Sequence, residues 1–152
     1  MKTFVIVKDG VARIMTAQDN VADAWDEIKK WHPDDQAKVS SVREISDADI
    51  PANRSISLRN AWEDDGSAIV VNLAKARPGK VNEFRLERNR RLEALDVDYI
   101  RADEAGDTAL KENIAMLKQK LRDLPVTIES ELSDLNTPAE IESFTPTWPS
   151  LD

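Results

Sequence analysis

The sequence contains no cysteine and a single histidine, His32, and these absences narrow the chemistry open to the chain. Without cysteine, neither a disulfide framework nor a thiolate metal site can form. One imidazole cannot supply the several nitrogen ligands that most zinc sites use. We therefore expect no metal site and no cofactor. His32 precedes Asp34 and Asp35, a pattern more typical of a surface loop than of acid–base catalysis.

Long hydrophobic runs and glycine-rich loops are also missing. The longest apolar runs, residues 4–7 and 68–71, are far shorter than the ~20 residues of a membrane helix. The first residues are not followed by the longer apolar region that a signal peptide has. The four glycines stand apart, so no phosphate-binding loop is present, and no serine lies in a nucleophile elbow. We expect a cytoplasmic, non-enzymatic protein with no membrane partner.

Basic residues are absent from residues 126–152, which carry six acidic side chains and hold most of the net charge of -8. A segment of this kind usually stays solvated. Because nucleic-acid binders need clustered cations facing phosphate, we expect no nucleic-acid partner. The acidic segment also suggests an alternative function, that of an acidic decoy which binds a basic host protein.

The N-terminal residues 1–50 are predicted to form a small α+β subdomain. Residues 3–7 and 11–15 flank Asp9-Gly10, which indicates a hairpin, and residues 38–45 supply a third strand. Asn20 is the expected cap of an intervening helix. The face of that helix is predicted to carry Val21, Ala24, Trp25, Ile28 and Trp31.

Residues 51–79 are predicted to form a second β-hairpin and a linker. Residues 58–62 and 68–71 flank an acidic turn at Gly66, which can adopt the positive φ that the turn needs. Trp62 is then a packing residue. The alternative is an exposed aromatic anchor for a partner, because indoles are favoured at interfaces.

Residues 80–125 read as an antiparallel helical hairpin. The first helix begins either at Leu73, capped by Asn72, or later, with Pro78 in its first turn. Arg88 fills a gap in its apolar stripe, and the arginines around it are expected to be solvated or paired along the helix. The stripe comprises Val81, Phe84, Leu92, Leu95, Tyr99 and Ala102.

Gly106 suits the close of the first helix, and Asp107 or Thr108 suits the cap of the second. The second helix, expected to end at Pro125, carries a seam of about two heptads. The seam packs either within the chain or between copies, so a homo-oligomer is one option. Its members are Leu110, Ile114, Leu117, Leu121 and Leu124.

Residues 126–152 are predicted to form an acidic tail with one short helix. Thr137, Pro138 and Glu140 supply the cap, the first-turn proline and the reciprocal carboxylate of a helix start. Trp148 lies between two prolines and either tucks onto the body or serves as a docking tag.

The helical hairpin resembles the C-terminal module of tailed-bacteriophage tail assembly chaperone proteins. The resemblance rests on Arg88, Arg91-Leu92, Leu95-Asp96 and Tyr99, then on Gln119 and the closing run of residues 121–125, Leu-Arg-Asp-Leu-Pro. Upstream, Pro51, Arg54, residues 58–62 and Gly66 resemble a recurrent segment of small phage proteins. The chain departs from the family where an Asp-Trp pair is replaced by residues 96–99. The resemblance covers residues 51–125 and implies an assembly role without catalytic residues.

The expected fold class is therefore α+β: an antiparallel sheet with one helix, a second hairpin, a helical hairpin and an acidic tail. We expect a phage protein that binds virion proteins, as a tail or tail-fibre assembly factor in the host cytoplasm or as a minor virion component. The candidate interaction residues are Trp62, Leu110, Ile114, Leu117, Leu121, Leu124 and Trp148.

Overall fold

A three-stranded antiparallel sheet forms the base of the first 76 residues. The computed structural model describes residues 1–18, 20–21 and 23–151, and places β1 (Lys2–Lys8) between β2 (Val11–Ala17) and β3 (Val39–Glu44). The turn residues Asp9 and Gly10 both have positive φ, 53° and 74°, as a two-residue hairpin turn requires. The predicted hairpin and third strand are confirmed.

Two short helices connect β2 to β3. They are α1 (Ala24–Ile28) and α2 (Pro33–Gln36). The predicted cap at Asn20 is wrong, because the Asp23 carboxylate accepts the Trp25 backbone N–H at 2.9 Å and starts α1 there. Ala24 and Ile28 lie one turn apart on the same face of α1 and are both buried, whereas Trp25 is 37% exposed.

The predicted second hairpin exists but is shorter than expected. Residues 56–59 form a helical turn, α3 (Ile56–Arg59), and the paired strands are β4 (Trp62–Asp64) and β5 (Ile69–Val71). Ser57 and Leu58 are adjacent and both buried. A strand would point them to opposite faces, so a helical turn accommodates this burial better.

The core of this unit joins residues from both sides of the boundary expected near residue 50. Val5, Ala12 and Ile45 pack in one buried cluster with Trp62 and Ile69. An ion pair adds to this, because the Arg43 guanidinium donates to the Asp64 carboxylate from Nη2 at 2.5 Å and from Nε at 3.1 Å. Residues 1–76 consequently form one unit and residues 77–152 another.

Two long helices, α4 (Leu73–Glu104) and α5 (Thr108–Ser133), form the helical hairpin. Of the two predicted starts, the earlier applies: the Asn72 side chain accepts the Lys75 backbone N–H at 3.2 Å. Gly106, with a φ of 69°, closes α4, and Asp107 caps α5 by accepting the Leu110 N–H at 3.0 Å.

Three ion pairs link α4 to α5 and show the register of the hairpin. The pairs are Asp103 with Lys111, Asp96 with Lys118, and Arg85 with Glu129. From each pair to the next, the residue number on α4 falls by as much as the residue number on α5 rises. The helices are therefore antiparallel, without a shift in register between residues 85 and 129.

The prediction that the second helix ends at Pro125 is wrong. Pro125 lies inside α5, and Ile128 and Leu132 beyond it are fully buried on the same stripe as Leu121. Proline inside a helix costs about 3 kcal/mol. Burial of the two later side chains returns about 1.5 to 3 kcal/mol each, which is enough to offset that cost.

The expectation of a solvated acidic tail is also wrong. Residues 126–133 belong to α5, and α6 (Pro138–Ser143) follows after a short turn. As predicted, Thr137 and Glu140 form a reciprocal capping box at the start of α6. Ile141 is fully buried, and the Lys80 ammonium donates to the Glu142 carbonyl at 3.2 Å. The segment is part of the folded body of the second unit.

We predict that Leu132→Ala lowers the free energy of unfolding by about 2 to 5 kcal/mol, because it leaves a cavity at a fully buried site. Val126→Ala, at a side chain that is 73% exposed on the same helix, should change it by less than about 0.5 kcal/mol. Urea unfolding followed by circular dichroism measures both. Equal, small effects would mean that residues beyond Pro125 are not packed.

Asp64 and Asp65 are two of four carboxylates of the first unit whose pKa lies below the ordinary range. The hydrogen bond from Arg43 lowers the pKa of Asp64. The backbone N–H groups of Ala68 and Ser67, followed by the Ser67 hydroxyl, lower the pKa of Asp65 to about 2. Both groups are thus more acidic in the folded chain than in the unfolded chain, whose aspartates titrate at about 3.9.

A lowered folded pKa contributes stability that is fully present above the unfolded pKa and is lost as the pH falls through the folded pKa. We therefore predict a nearly constant free energy of unfolding above about pH 5 and a steady fall between about pH 4 and pH 2. Urea titrations across this range measure it. Arg43→Gln should flatten the fall, since it removes the main cause of the Asp64 shift. A profile that is level down to about pH 2.5 contradicts the prediction.

Candidate interaction surface

The heptad seam of α5 is used mostly inside the chain. Ile114, Leu117 and Leu121 are buried, Leu124 is half-buried, and Leu110 is 39% exposed near the hairpin turn. A side chain that is already buried offers little further apolar area to a second molecule. The sequence left open whether the seam packs within the chain or between copies. In the structure it packs within the chain.

Trp62 and Trp148, the two aromatic candidates, both pack within their own units. Trp62 is 3% exposed in the core of residues 1–76, which does not fit a role as an exposed anchor. Trp148 is half-buried: the Arg91 guanidinium lies over its ring at 4.3 Å, and Phe84 meets it edge-on at 6.3 Å. Phe144 makes a further edge contact with Phe84 at 5.7 Å. Trp148 therefore tucks onto α4.

The arginine-rich stretch of α4 is engaged by neighbours. Arg85 binds Glu129 at 2.9 Å, and Arg91 binds Glu87 at 3.0 Å. Arg88 donates to the adjacent Asn89 side chain at 2.8 Å. Exposed pairs of this kind contribute about 0 to 1 kcal/mol each, so the stretch forms a mixed, salt-bridged surface rather than a bare cationic patch.

Three large apolar side chains on α4 face solvent, and sequence reasoning did not select them. Leu86, Val97 and Ile100 are 66%, 48% and 56% exposed. Val97 lies three helical turns beyond Leu86, and Ile100 lies close to one turn beyond Val97, so all three share one side of the helix. We call them the α4 apolar face. The sequence signal that could have identified them is that all three are apolar although they lie outside the predicted core-facing stripe of this helix.

The structure places His32 at the start of α2, where its Nδ1 accepts the Asp34 backbone N–H at 3.3 Å. Its side chain is largely exposed, and the Asp34 carboxylate lies 3.5 Å from Nδ1. The His32 side chain in this position acts as a helix cap. Within residues 1–18, 20–21 and 23–151, no group of three or more metal-ligating acidic or histidine side chains could hold an ion. In the same residues, no helix is long and apolar enough to cross a membrane.

The geometry thus offers a surface for contact. Its elements are the α4 apolar face and the salt-bridged side chains around it. Comparison with known proteins gives no further assignment: no protein-family model, no curated protein and no solved structure matches this chain.

Proposed function

We propose that this chain is a non-enzymatic bacteriophage protein that binds other virion proteins. It acts in tail or tail-fibre assembly in the host cytoplasm, or it remains in the particle as a minor structural component. The observation that carries the binding role is the α4 apolar face. The phage context rests on the resemblance of residues 51–125 to tail assembly chaperone proteins.

The α4 apolar face supports a protein partner because large apolar side chains exposed on a helix gain free energy when they are covered. Leu86, Val97 and Ile100 are each about half exposed or more. Covering them would bury apolar area worth roughly 25 cal/mol per Å². Arg90, which is highly exposed, and Glu93 lie on the same side of α4 between Leu86 and Val97, so charged side chains interrupt this face.

The hairpin itself supports a rigid binding platform. The α5 stripe is buried within the chain, and ion pairs hold its register along α4. A helix presented by a packed neighbour loses little conformational entropy when a partner binds it. The same burial argues against assembly of copies through the heptad seam.

The alternative, an acidic decoy for a basic host protein, is favoured by the absence of lysine and arginine from residues 126–152. Several of those carboxylates already have partners within the chain. Glu129 binds Arg85, and Glu140 completes the capping box of α6. Less negative charge is therefore free for a basic partner than the sequence alone suggests.

We predict that Val97→Glu combined with Ile100→Glu reduces capture of virion proteins by the tagged chain at least tenfold, because two charges on this face oppose its burial in an interface. The measurement is quantitative mass spectrometry of proteins captured during infection by the phage that encodes the chain. Mass spectrometry of purified virions then separates a retained component from a transient assembly factor.

The matched control is Ala115→Glu with Thr127→Glu, which adds the same charge at two exposed positions of α5. This variant should capture virion proteins as the parent does. Circular dichroism should show the same helix content and melting temperature for all three proteins. Capture of no virion protein by the parent, or equal losses in both variants, contradicts the proposal.

For the decoy function, Glu131→Gln with Asp134→Asn removes two exposed charges and leaves the packed residues of this segment in place. If the decoy function holds, salt-sensitive capture of a basic host protein falls severalfold in this variant. Unchanged capture, or none by the parent, eliminates it. Deletion of residues 126–152 is unsuitable, because Ile128, Leu132 and Ile141 are core residues of the second unit.

A further inference from the structure

A cavity of about 330 Å³ opens on the first unit, and none of its lining residues belongs to the α4 apolar face. β2 supplies Ala12, Arg13 and Ile14 to its wall. The segment around α3 supplies Arg54 and Arg59, and Trp62 comes from the first residue of β4. Three of six lining residues are arginines, in a chain whose net charge is -8.

Within the described residues, none of these three arginines pairs with a carboxylate. Arg13 donates to the Asn60 side-chain oxygen at 3.3 Å, and Arg54 donates to the Pro51 carbonyl at 3.2 Å. Among the parts of the chain that the structure describes, the Arg59 guanidinium has neither an ion pair nor a hydrogen bond. Three like charges around one cavity repel each other, and a bound anion relieves that repulsion.

One residue of the cavity wall, Trp62, carries an unsatisfied donor. The Trp62 indole Nε1 is buried and has no hydrogen-bond partner within the described residues. Buried donors are nearly always paired, because an unpaired one loses its hydrogen bond to water without replacement. Because Trp62 Nε1 and the fully buried Ala12 are closed to solvent, the half-buried Ile14 supplies the apolar contact in this cavity.

From these observations we infer that this cavity binds a small organic phosphate monoester. The phosphate carries about -1.5 to -2 charge at pH 7 and three acceptor oxygens, which suits three guanidinium groups better than a singly charged carboxylate does. The organic part lies against Ile14. A volume of about 330 Å³ is near the lower end for ligand sites, so the ligand carries a single ring rather than a dinucleotide.

The test uses phenyl phosphate as the probe and the indole N–H signals of the full chain, observed by ¹H–¹⁵N NMR. Four tryptophans give four such signals, and the one missing in Trp62→Phe belongs to Trp62. We expect phenyl phosphate to shift the Trp62 signal saturably. Benzoate and inorganic phosphate should bind more weakly, and phenol should not bind.

Arg59→Gln should weaken phenyl phosphate binding about tenfold or more, since it removes a charge-assisted donor. The control, Arg90→Gln, removes the same charge from a highly exposed arginine of α4 and should leave binding unchanged. Both arginines are exposed and neither variant removes a core contact, so both should fold.

Three results would overturn the inference: no saturable shift of the Trp62 signal, equal weakening in Arg59→Gln and Arg90→Gln, or benzoate binding as tightly as phenyl phosphate. The last would assign the cavity to carboxylates. None of these outcomes bears on the α4 apolar face, so the proposed function and this site stand or fall separately.

Discussion

The antiparallel pairing of α4 with α5 is the constraint on which the second unit depends. One continuous stripe of α5, from Ile114 to Leu132, is buried, and ion pairs such as Arg85 with Glu129 hold the register. Because that stripe is used inside the hairpin, it is not available as a dimer seam. The α4 face around Val97 brings three exposed apolar side chains together on one side of one helix, and this is why the proposed partner surface lies there.

The C-terminal segment completes the same unit. Phe84 on α4 meets both Phe144 and Trp148 edge-on, and Arg91 lies over the Trp148 ring. Ile141 of α6 is fully buried. The acidic residues of this segment therefore project from a folded surface, where their charge modulates local contacts. A free acidic tail would instead behave as a solvated polyanion.

Local signals in the sequence were sufficient for the elements that local chemistry decides. The positive-φ turn at Gly10, the helix closure at Gly106 and the capping box at Thr137 all depend on neighbouring residues alone. The passage of α5 through Pro125 was not predictable in this way, because its helical state depends on burial of residues such as Ile128 against the rest of the fold.

For the candidate sites too, local patterns were visible in the sequence, whereas features that depend on tertiary packing were not. The seam of α5 was visible as a heptad, yet its burial within the chain depends on the tertiary pairing. The phosphate cavity has no sequence signature, since Arg13 lies far along the chain from Arg54 and Arg59 and only the fold brings them to one wall. Trp62 was recognised as a packing residue, but its unpartnered N–H appears only in three dimensions.

Hydrogen exchange across α5 tests the central structural claim most directly. If α5 is one helix packed along its whole length, amides of residues 126–133 exchange with protection comparable to those of residues 114–124, as members of one cooperative unit. Mass spectrometry of peptic fragments resolves the two segments. Exchange of residues 126–133 at the rate of an unfolded chain, with residues 114–124 protected, would contradict the claim.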